Sequence, residues 1–222
     1  MLGKPLLQHV FERASQCKEI DDLVIATDDD RIAEMATSLG AKICFTRSDH
    51  PSGTDRIAEA ASQLDEATHV LNIQGDEPLL DPRLVDTLAK TLREDRNLPM
   101  ITAASPVADQ ILINDPNVVK VILTSGGDAL YFSRSPIPFR RDPVPELPTY
   151  RHLGIYGYRS DFLRRFVSLP PSPLERAEGL EQLRALENGA RIHVLITEHQ
   201  APGLDSPDQV PLIESLLSNC PT

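Results

Sequence analysis

Apolar positions in the first hundred residues follow two alternating patterns, one with helical spacing and one of short continuous runs. In chain order the predicted elements are a helix at 5–14, a strand at 22–27, a helix at 30–39, a strand at 42–45, a loop and helix from Gly53, a strand at 68–73 and a helix through 84–92. Strands without polar alternation are typical of parallel sheets covered by helices on both faces. The pattern therefore predicts an α/β fold with a doubly wound, mostly parallel sheet.

The pattern changes after about residue 100, where alternation and turn residues predict an antiparallel excursion. Residues 118–123 and 129–132 flank a Ser-Gly-Gly-Asp turn and predict a hairpin, and 150–158 alternates like a half-buried strand. The proline-rich stretch 135–148 predicts an irregular loop, with a ligand for a polyproline-binding domain as the alternative. The remaining predicted elements are helices at 161–167 and 173–187, a strand at 191–197 and a last helix from Asp208. No linker interrupts them, so we expect residues 1–222 to form one domain.

The composition and net charge exclude some classes of binding partner. The chain has 222 residues, of which 41% are hydrophobic, and its formal net charge is −11. No basic stripe is available for a nucleic-acid backbone, and no apolar run is long enough to cross a bilayer. A nucleotide remains possible as a substrate, because a divalent cation can bridge an acidic protein and an acidic ligand. The three cysteines, Cys17, Cys44 and Cys220, have no metal-like spacing and are typical of reduced thiols in a cytoplasmic protein.

Polar residues follow four predicted strands at the point where each strand ends. The four exits are Thr27-Asp28-Asp29, Ser52-Gly53-Thr54-Asp55-Arg56, Gln74-Gly75-Asp76 and, after a short loop, Leu204-Asp205. In a doubly wound sheet such exits converge on one rim, where these folds bind their ligands. The sequence therefore predicts a binding rim formed by these exits.

Asp76 allows two interpretations. It can cap the helix that follows, with Pro78 near the first turn. Alternatively, Asp76 and Asp205 share a hard cation, because magnesium is commonly held by one or two carboxylates together with substrate phosphates. The convergence of four strand exits favours the metal interpretation, with Mg²⁺ as the cofactor.

Five motifs carry a resemblance to a known family. They are SGTDR at 52–56, QGDEP at 74–78, ALYFSRSPIP at 129–138, RHLGIYGYR at 151–159 and LEQLRALENG at 180–189. In order and spacing they resemble the 3-deoxy-manno-octulosonate (Kdo) cytidylyltransferases, and the match runs from residue 2 to about residue 209. The resemblance implies a nucleotide-diphosphosugar transferase-like fold, a homodimer built partly from the antiparallel section, and magnesium-dependent transfer of CMP from CTP to Kdo for lipopolysaccharide synthesis.

The resemblance also implies roles for individual residues. Asp76 and Asp205 are expected to hold magnesium and to be catalytic. The residues expected to face the nucleotide are Thr27, Asp28, Gly53 and Arg56. Those expected to form the sugar pocket are Gln74, Arg134, His152 and Tyr156, with Glu181 and Gln182 reaching the sugar hydroxyls. From the pattern alone, Glu181 and Gln182 lie in mid-helix on solvated surface, and His152 points away from the core.

Two alternatives stay open beside Kdo transfer: a CMP-sialate-type cytidylyltransferase, and a catalytically silent relative that binds nucleotide or only dimerises. The second arises because the family begins with a strand and a phosphate-binding loop that this chain does not match; Lys4 corresponds to a later segment. We therefore expect the chain to be truncated at its N-terminus and, as it stands, not to turn over CTP. Whether the acceptor is Kdo or an amino variant of it is likewise open.

Overall fold

The computed structural model of the chain describes residues 1–64, 66–142, 144–199, 203–204 and 206–219. Two compact units can be distinguished. The first unit comprises Met1–Ala67, Asn72–Lys90 and His199–Thr222, and the second comprises Thr68–Leu71 and Thr91–Glu198. Within the described residues, no helix is both long enough and apolar enough to span a membrane.

Helices and strands alternate through most of the chain. In order they are α1 (Leu6–Ala14), β1 (Val24–Thr27), α2 (Asp30–Ser38), β2 (Lys42–Phe45), α3 (Gly53–Ser62), β3 (His69–Asn72), α4 (Pro82–Glu94), β4 (Met100–Val107), α5 (Gln110–Asn114), β5 (Lys120–Leu123), β6 (Ala129–Ser133), β7 (Thr149–Arg159), α6 (Ser160–Ser168), α7 (Pro173–Glu178), α8 (Gln182–Glu187), β8 (Ile192–Ile196) and, after a 3-10 turn at Pro207–Gln209, α9 (Val210–Asn219). The elements predicted up to α4, the hairpin and the last helix are confirmed within one or two residues at most ends.

The strands form two sheets. In the first unit β1 pairs with β2 in parallel. The second sheet has the order β6-β5-β7-β4-β8, and β3 pairs with β7 beside this path. Here β4 runs parallel to β8 but antiparallel to β7, and β5 is antiparallel to both β6 and β7. The α/β class and the antiparallel excursion are therefore confirmed.

Strand β4 lies between β7 and β8 in the second sheet but was missing from the predicted elements. Its first six residues are buried, among them the small residues Ala103 and Ala104. Pro106 lies near its end, where a missing N–H is tolerated because only the last ladder bonds are affected. A run of small and apolar residues that includes a proline does not signal a strand by its pattern alone.

The alternation predicted for 150–158 is kept across an irregularity in the pairing, but the face expected to be polar is covered. The register between β4 and β7 shifts between Thr102 and Ala103, so that Thr102 lies opposite Tyr156 whereas Ala103 lies opposite Leu153. Two residues of β7, Gly154 and Ile155, are inserted there, and an insertion of two leaves the same side chains on the same face on both sides of the bulge. His152, Tyr156 and Tyr158 therefore share the face expected to be polar, yet Tyr158 is only 1% exposed because it stacks on Phe166 of α6.

The single helix predicted at 173–187 is also wrong, because the chain forms two short helices there. Gly179 adopts a left-handed conformation with φ 62° and ends α7. Glu181 is the residue before α8, and Gln182 is the first residue of that helix. Both therefore lie at a helix start after a sharp turn, where a side chain can leave the helix axis, and not in mid-helix.

Candidate active site

The first unit brings the ends of β1 and β2 together. Asp28 follows β1, and its carboxylate forms an ion pair with Arg56 of α3 at 2.9 Å. The same guanidinium donates to the Thr46 hydroxyl at 2.7 Å. Thr27 is buried, and its hydroxyl accepts the N–H of Asp29, which in turn caps α2. Three of the four residues expected at the nucleotide are thus joined by hydrogen bonds around parallel strand ends.

Gln74 and Gly53 also approach each other in this unit. A Cβ on Gly53 would lie 3.9 Å from the Oε1 of Gln74, so the glycine leaves room beside the amide. Gln74 was expected in the sugar pocket, yet its contact is with a residue expected at the nucleotide. It is the one sugar-pocket candidate that belongs to the first unit.

Asp76 does not cap a helix. Helix α4 begins at Pro82, and the Asp81 carboxylate accepts the N–H of Arg83 at 2.9 Å in the first turn. The capping interpretation of Asp76 is therefore wrong, because the helix starts too far along the chain. Asp76 is exposed, and within the described ranges its carboxylate has no side-chain partner.

The surroundings of Asp76 suit a hard cation only in part. Asp205, its expected partner, lies outside the described residues. Leu204, its neighbour in sequence, donates its N–H to the Asp76 carbonyl at 2.9 Å. Among the residues with described positions, no group of three or more His, Cys, Asp or Glu side chains is arranged to hold a metal. A single carboxylate still fits magnesium, which usually keeps several waters and takes further ligands from a substrate phosphate.

His152 in the second unit is held in one tautomer. Its Nε2 lies 2.8 Å from the Thr102 hydroxyl, which donates its only proton towards the carbonyls of Ile155 at 2.7 Å and Leu153 at 3.2 Å. The imidazole must therefore donate from Nε2, and its Nδ1 is an acceptor. Burial lowers the pKa of His152 to about 3, so the ring is neutral at physiological pH. His152 lies on the face opposite to Leu153, as predicted, but this face is covered too, because the ring contacts buried Thr102 and Phe132.

An aromatic row continues from His152. Its ring centroid lies 5.1 Å from that of Phe132 and 5.2 Å from that of Tyr156. Tyr156 stacks on Tyr158, which stacks on Phe166. Burial raises the pKa of Tyr156, as do the charges of Tyr158 and Glu181 to a smaller extent, so its phenol keeps its proton. His152 and Tyr156 thus present one acceptor and one neutral hydroxyl side by side.

Arg134 connects three segments of the second unit. Its Nε donates to the carbonyl of Glu178 at 2.7 Å, its Nη1 to that of Pro116 at 2.9 Å and its Nη2 to that of Gly179 at 3.4 Å. These bonds use three of the five N–H groups that a guanidinium carries. The side chain therefore lies against the turn that precedes Glu181.

Gln182 carries a polar atom without a partner. The residue is 4% exposed, and its Nε2 is buried with no hydrogen-bond partner among the described residues. An unsatisfied buried amide costs roughly 1 to 3 kcal/mol. Such a donor is suited to an external oxygen, for which a sugar hydroxyl qualifies.

The sequence-based prediction missed residues that support this set. Thr102 fixes the tautomer of His152, while Lys120 and Glu178 bind the backbone of Arg134. Lys120 did carry a signal, since it interrupts the apolar run Val118-Val119-Lys120-Val121-Ile122. A lysine within a buried strand is uncommon unless its charge is satisfied.

Residues 1–192 match the family model described as Cytidylyltransferase. A 3-deoxy-manno-octulosonate cytidylyltransferase of Solibacter usitatus is 48% identical over 96% of this chain and 84% of its own length. The enzyme of the same name from Syntrophobacter fumaroxidans is 47% identical over 98% of this chain and 88% of its own. The chain belongs to this cytidylyltransferase family.

Solved structures of cytidylyltransferases agree with the fold. A CMP:2-keto-3-deoxy-manno-octonic acid synthetase complexed with CTP superposes with a TM-score of 0.93 at 40% identity, over 98% of this chain and 89% of that one. The 4-diphosphocytidyl-2C-methyl-D-erythritol synthase of Anaerococcus prevotii, at 18% identity and a TM-score of 0.63, shares the fold alone. The chain is thus a nucleotidyltransferase of the cytidylyltransferase type.

Proposed function

We propose that this protein transfers CMP from CTP to Kdo and releases pyrophosphate. The observation that carries the proposal is the likeness to relatives of that name, at 48% and 47% identity over nearly the whole chain. The anomeric oxygen of the sugar attacks the α-phosphorus, a new P–O bond forms, and the bond to the pyrophosphate oxygen breaks. The proton of the attacking hydroxyl passes to solvent. Such transfers depend mainly on positioning and on charge neutralisation around the phosphates.

The nucleotide is assigned to the first unit. Arg56 is held between Asp28 and Thr46, so that its position is fixed before a ligand arrives. Gly53 lies at the start of α3 and leaves space beside Gln74. We assign Thr27, Asp28, Gly53 and Arg56 to CTP on these grounds.

The acceptor is assigned mainly to the second unit. Arg134 keeps two N–H groups without partners among the described residues, which suits a carboxylate. The Nδ1 of His152 and the buried Nε2 of Gln182 offer one acceptor and one donor for sugar hydroxyls. Tyr156 and Glu181 complete this set, and Gln74 is assigned to the acceptor by resemblance alone.

Magnesium is assigned to Asp76 and Asp205. Two observations support this assignment: the exposed Asp76 carboxylate has no side-chain partner among the described residues, and its backbone carbonyl accepts the N–H of Leu204. When bound, the ion neutralises phosphate charge and stabilises the leaving group. The location in the cytoplasm, expected from the cysteines, stays a prediction.

Pyrophosphate release from CTP and magnesium, with Kdo, an amino variant of Kdo or a sialic acid as acceptor, tests the proposal. Where the chain turns over, we expect release with Kdo or its amino variant. Release only with sialic acid would favour the CMP-sialate alternative, and binding of CTP without release would favour a silent relative. The same assay decides whether the 222-residue chain turns over as it stands.

Replacing His152 with Ala is expected to raise the KM for Kdo while leaving the KM for CTP within twofold. Loss of one hydrogen bond and the unsatisfied groups left behind cost about 1 to 2 kcal/mol, or roughly five- to thirtyfold in KM. Initial rates at varied concentrations of each substrate provide the measurement. His193→Ala, which removes an imidazole paired with Asp128 in the same unit, is the matched control. A change in the KM for CTP alone would show that His152 has been assigned to the wrong pocket.

A homodimer is proposed through the antiparallel section. Large apolar side chains are exposed there, with Phe139 at 89%, Ile111 at 79% and Leu130 at 59%. Exposed apolar side chains of this size are typical of contact surfaces.

Light scattering is expected to give the mass of two chains. The Phe139→Asp variant is expected to shift the measured mass towards that of one chain. Leu212→Asp, an exposed leucine of the first unit, is the control and is expected to leave the mass unchanged. A wild-type mass of one chain at micromolar concentration would refute the assignment.

A further inference from the structure

Lys120 is a fully buried lysine, with an exposure of 0%. Its ammonium group donates to the carbonyls of Asp115 at 2.9 Å, Val118 at 2.6 Å and Arg134 at 2.5 Å. An ammonium group has three N–H donors, so all of them are satisfied. No carboxylate among the described residues lies within ion-pair distance of its Nζ, and burial lowers its pKa. Oriented backbone carbonyls therefore bind the ammonium group, and the more distant carboxylates of Asp115 and Glu178 also favour its charge.

Glu178 binds the other backbone group of Arg134, its N–H. Its carboxylate accepts the N–H of Arg134 at 2.9 Å and the hydroxyl of Ser133 at 2.6 Å. Both backbone groups of Arg134 are thus bound by charged side chains, the N–H by Glu178 and the carbonyl by Lys120. Since the guanidinium also donates to three carbonyls, the whole residue is fixed.

A buried Lys120 is a costly way to stabilise the fold if stability is its only role. Burying an ammonium group removes its hydration, and an apolar side chain of similar volume can fill such a site without that loss. What a methionine at position 120 could not do is bind three carbonyls at once. The gain is geometric, because the loop at 115–118 and the end of β6 are joined at one point beneath Arg134.

We propose that Lys120, together with Glu178, is a positioning residue for the acceptor, fixing Arg134 so that its guanidinium binds the carboxylate of the sugar acid. The proposal rests on the proposed function. Fixing a group before the ligand arrives lowers the ordering cost of binding. The effect is therefore expected in the binding of the acceptor and not in that of CTP.

Lys120→Met is expected to raise the KM for Kdo about tenfold or more, with kcat and the KM for CTP within about threefold. Hydrogen exchange, measured by mass spectrometry, is expected to accelerate at residues 115–118 and 133–134. Glu178→Gln, which keeps the shape of the side chain, is expected to shift the Kdo constant in the same direction by a smaller factor. It serves as the test if Lys120→Met does not fold.

Val121→Ala is the control, since it removes packing from the next position of β5 without removing a donor. It is expected to lower the melting temperature and leave both KM values unchanged. Equal KM values for Kdo in wild type, Lys120→Met and Glu178→Gln would overturn the proposal. A shift of the KM for Kdo in Val121→Ala as large as that in Lys120→Met would also overturn it. If the wild-type chain neither binds nor uses Kdo, the proposed function fails. The exchange data then decide alone whether Lys120 fixes Arg134, and unchanged hydrogen-exchange rates at 133–134 in Lys120→Met would refute it.

Discussion

In a form of the protein that turns over, replacement of Asp76 with Asn is expected to lower magnesium-dependent turnover about a thousandfold or more without loss of the fold. The two side chains are nearly isosteric, and Asp76 is exposed with no side-chain partner in the described part of the chain, so little packing is at stake. What we expect to be lost is a charged oxygen ligand of the proposed metal, which would neutralise phosphate at this point. Steady-state pyrophosphate release at saturating CTP, Kdo and magnesium provides the measurement.

The control for this experiment is Asp21→Asn, which makes the same chemical change at another exposed position of the first unit. It is expected to leave turnover unchanged. Binding of Mn²⁺, followed by its effect on water relaxation in the presence of CTP, gives a second measurement that does not require turnover. Wild-type rates together with wild-type Mn²⁺ binding in Asp76→Asn would remove Asp76 from the metal site.

Replacement of Arg184 with Met is expected to lower the free energy of unfolding by about 3 to 5 kcal/mol, because it removes the ion-pair partner of the largely buried Glu175 carboxylate. The Arg184 side chain is 8% exposed and forms two hydrogen bonds with Glu175, at 2.8 and 2.6 Å. Its guanidinium also lies 5.0 Å from the ring centroid of Phe166, and Glu181 lies 3.5 Å away. Urea unfolding followed by circular dichroism measures the loss.

The double variant Arg184→Met with Glu175→Gln is expected to recover much of the stability, since it removes both charges. Burial is the largest single effect and raises the pKa of Glu175, but the hydrogen bonds from Arg184 and from the Ser172 N–H, with the charges of Arg184 and Arg176, together lower it. A depressed pKa stabilises the fold above the usual range of a carboxyl group, so the difference from wild type should shrink as the pH falls from that range through the lowered pKa. Arg164→Met, an exposed arginine of α6, is the control. A loss below about 1 kcal/mol would mean that the pair behaves like a surface ion pair.

Local sequence patterns were enough to predict most helices and strands, but not the surroundings of individual side chains. Helix α1 and the hairpin of β5 and β6 follow from apolar spacing and turn residues, which act over a few positions. The break at Gly179 could not be read from the pattern, because a glycine between two helical segments is compatible with one helix or two. The tautomer of His152 and the burial of Lys120 depend on residues far away in sequence, such as Thr102 and Arg134. Asp205 lies outside the described residues, so its role stays a prediction.

The aromatic row has a spectroscopic consequence. The chain contains four tyrosines and no tryptophan. The tyrosines are Tyr131, Tyr150, Tyr156 and Tyr158, and all of them belong to the second unit. Intrinsic ultraviolet emission above that of phenylalanine therefore originates in the second unit alone, where the Tyr156 ring lies tilted beside His152 with 5.2 Å between the ring centroids. The wild-type protein thus carries a built-in optical reporter for one half of its structure, and the other half emits no tyrosine signal.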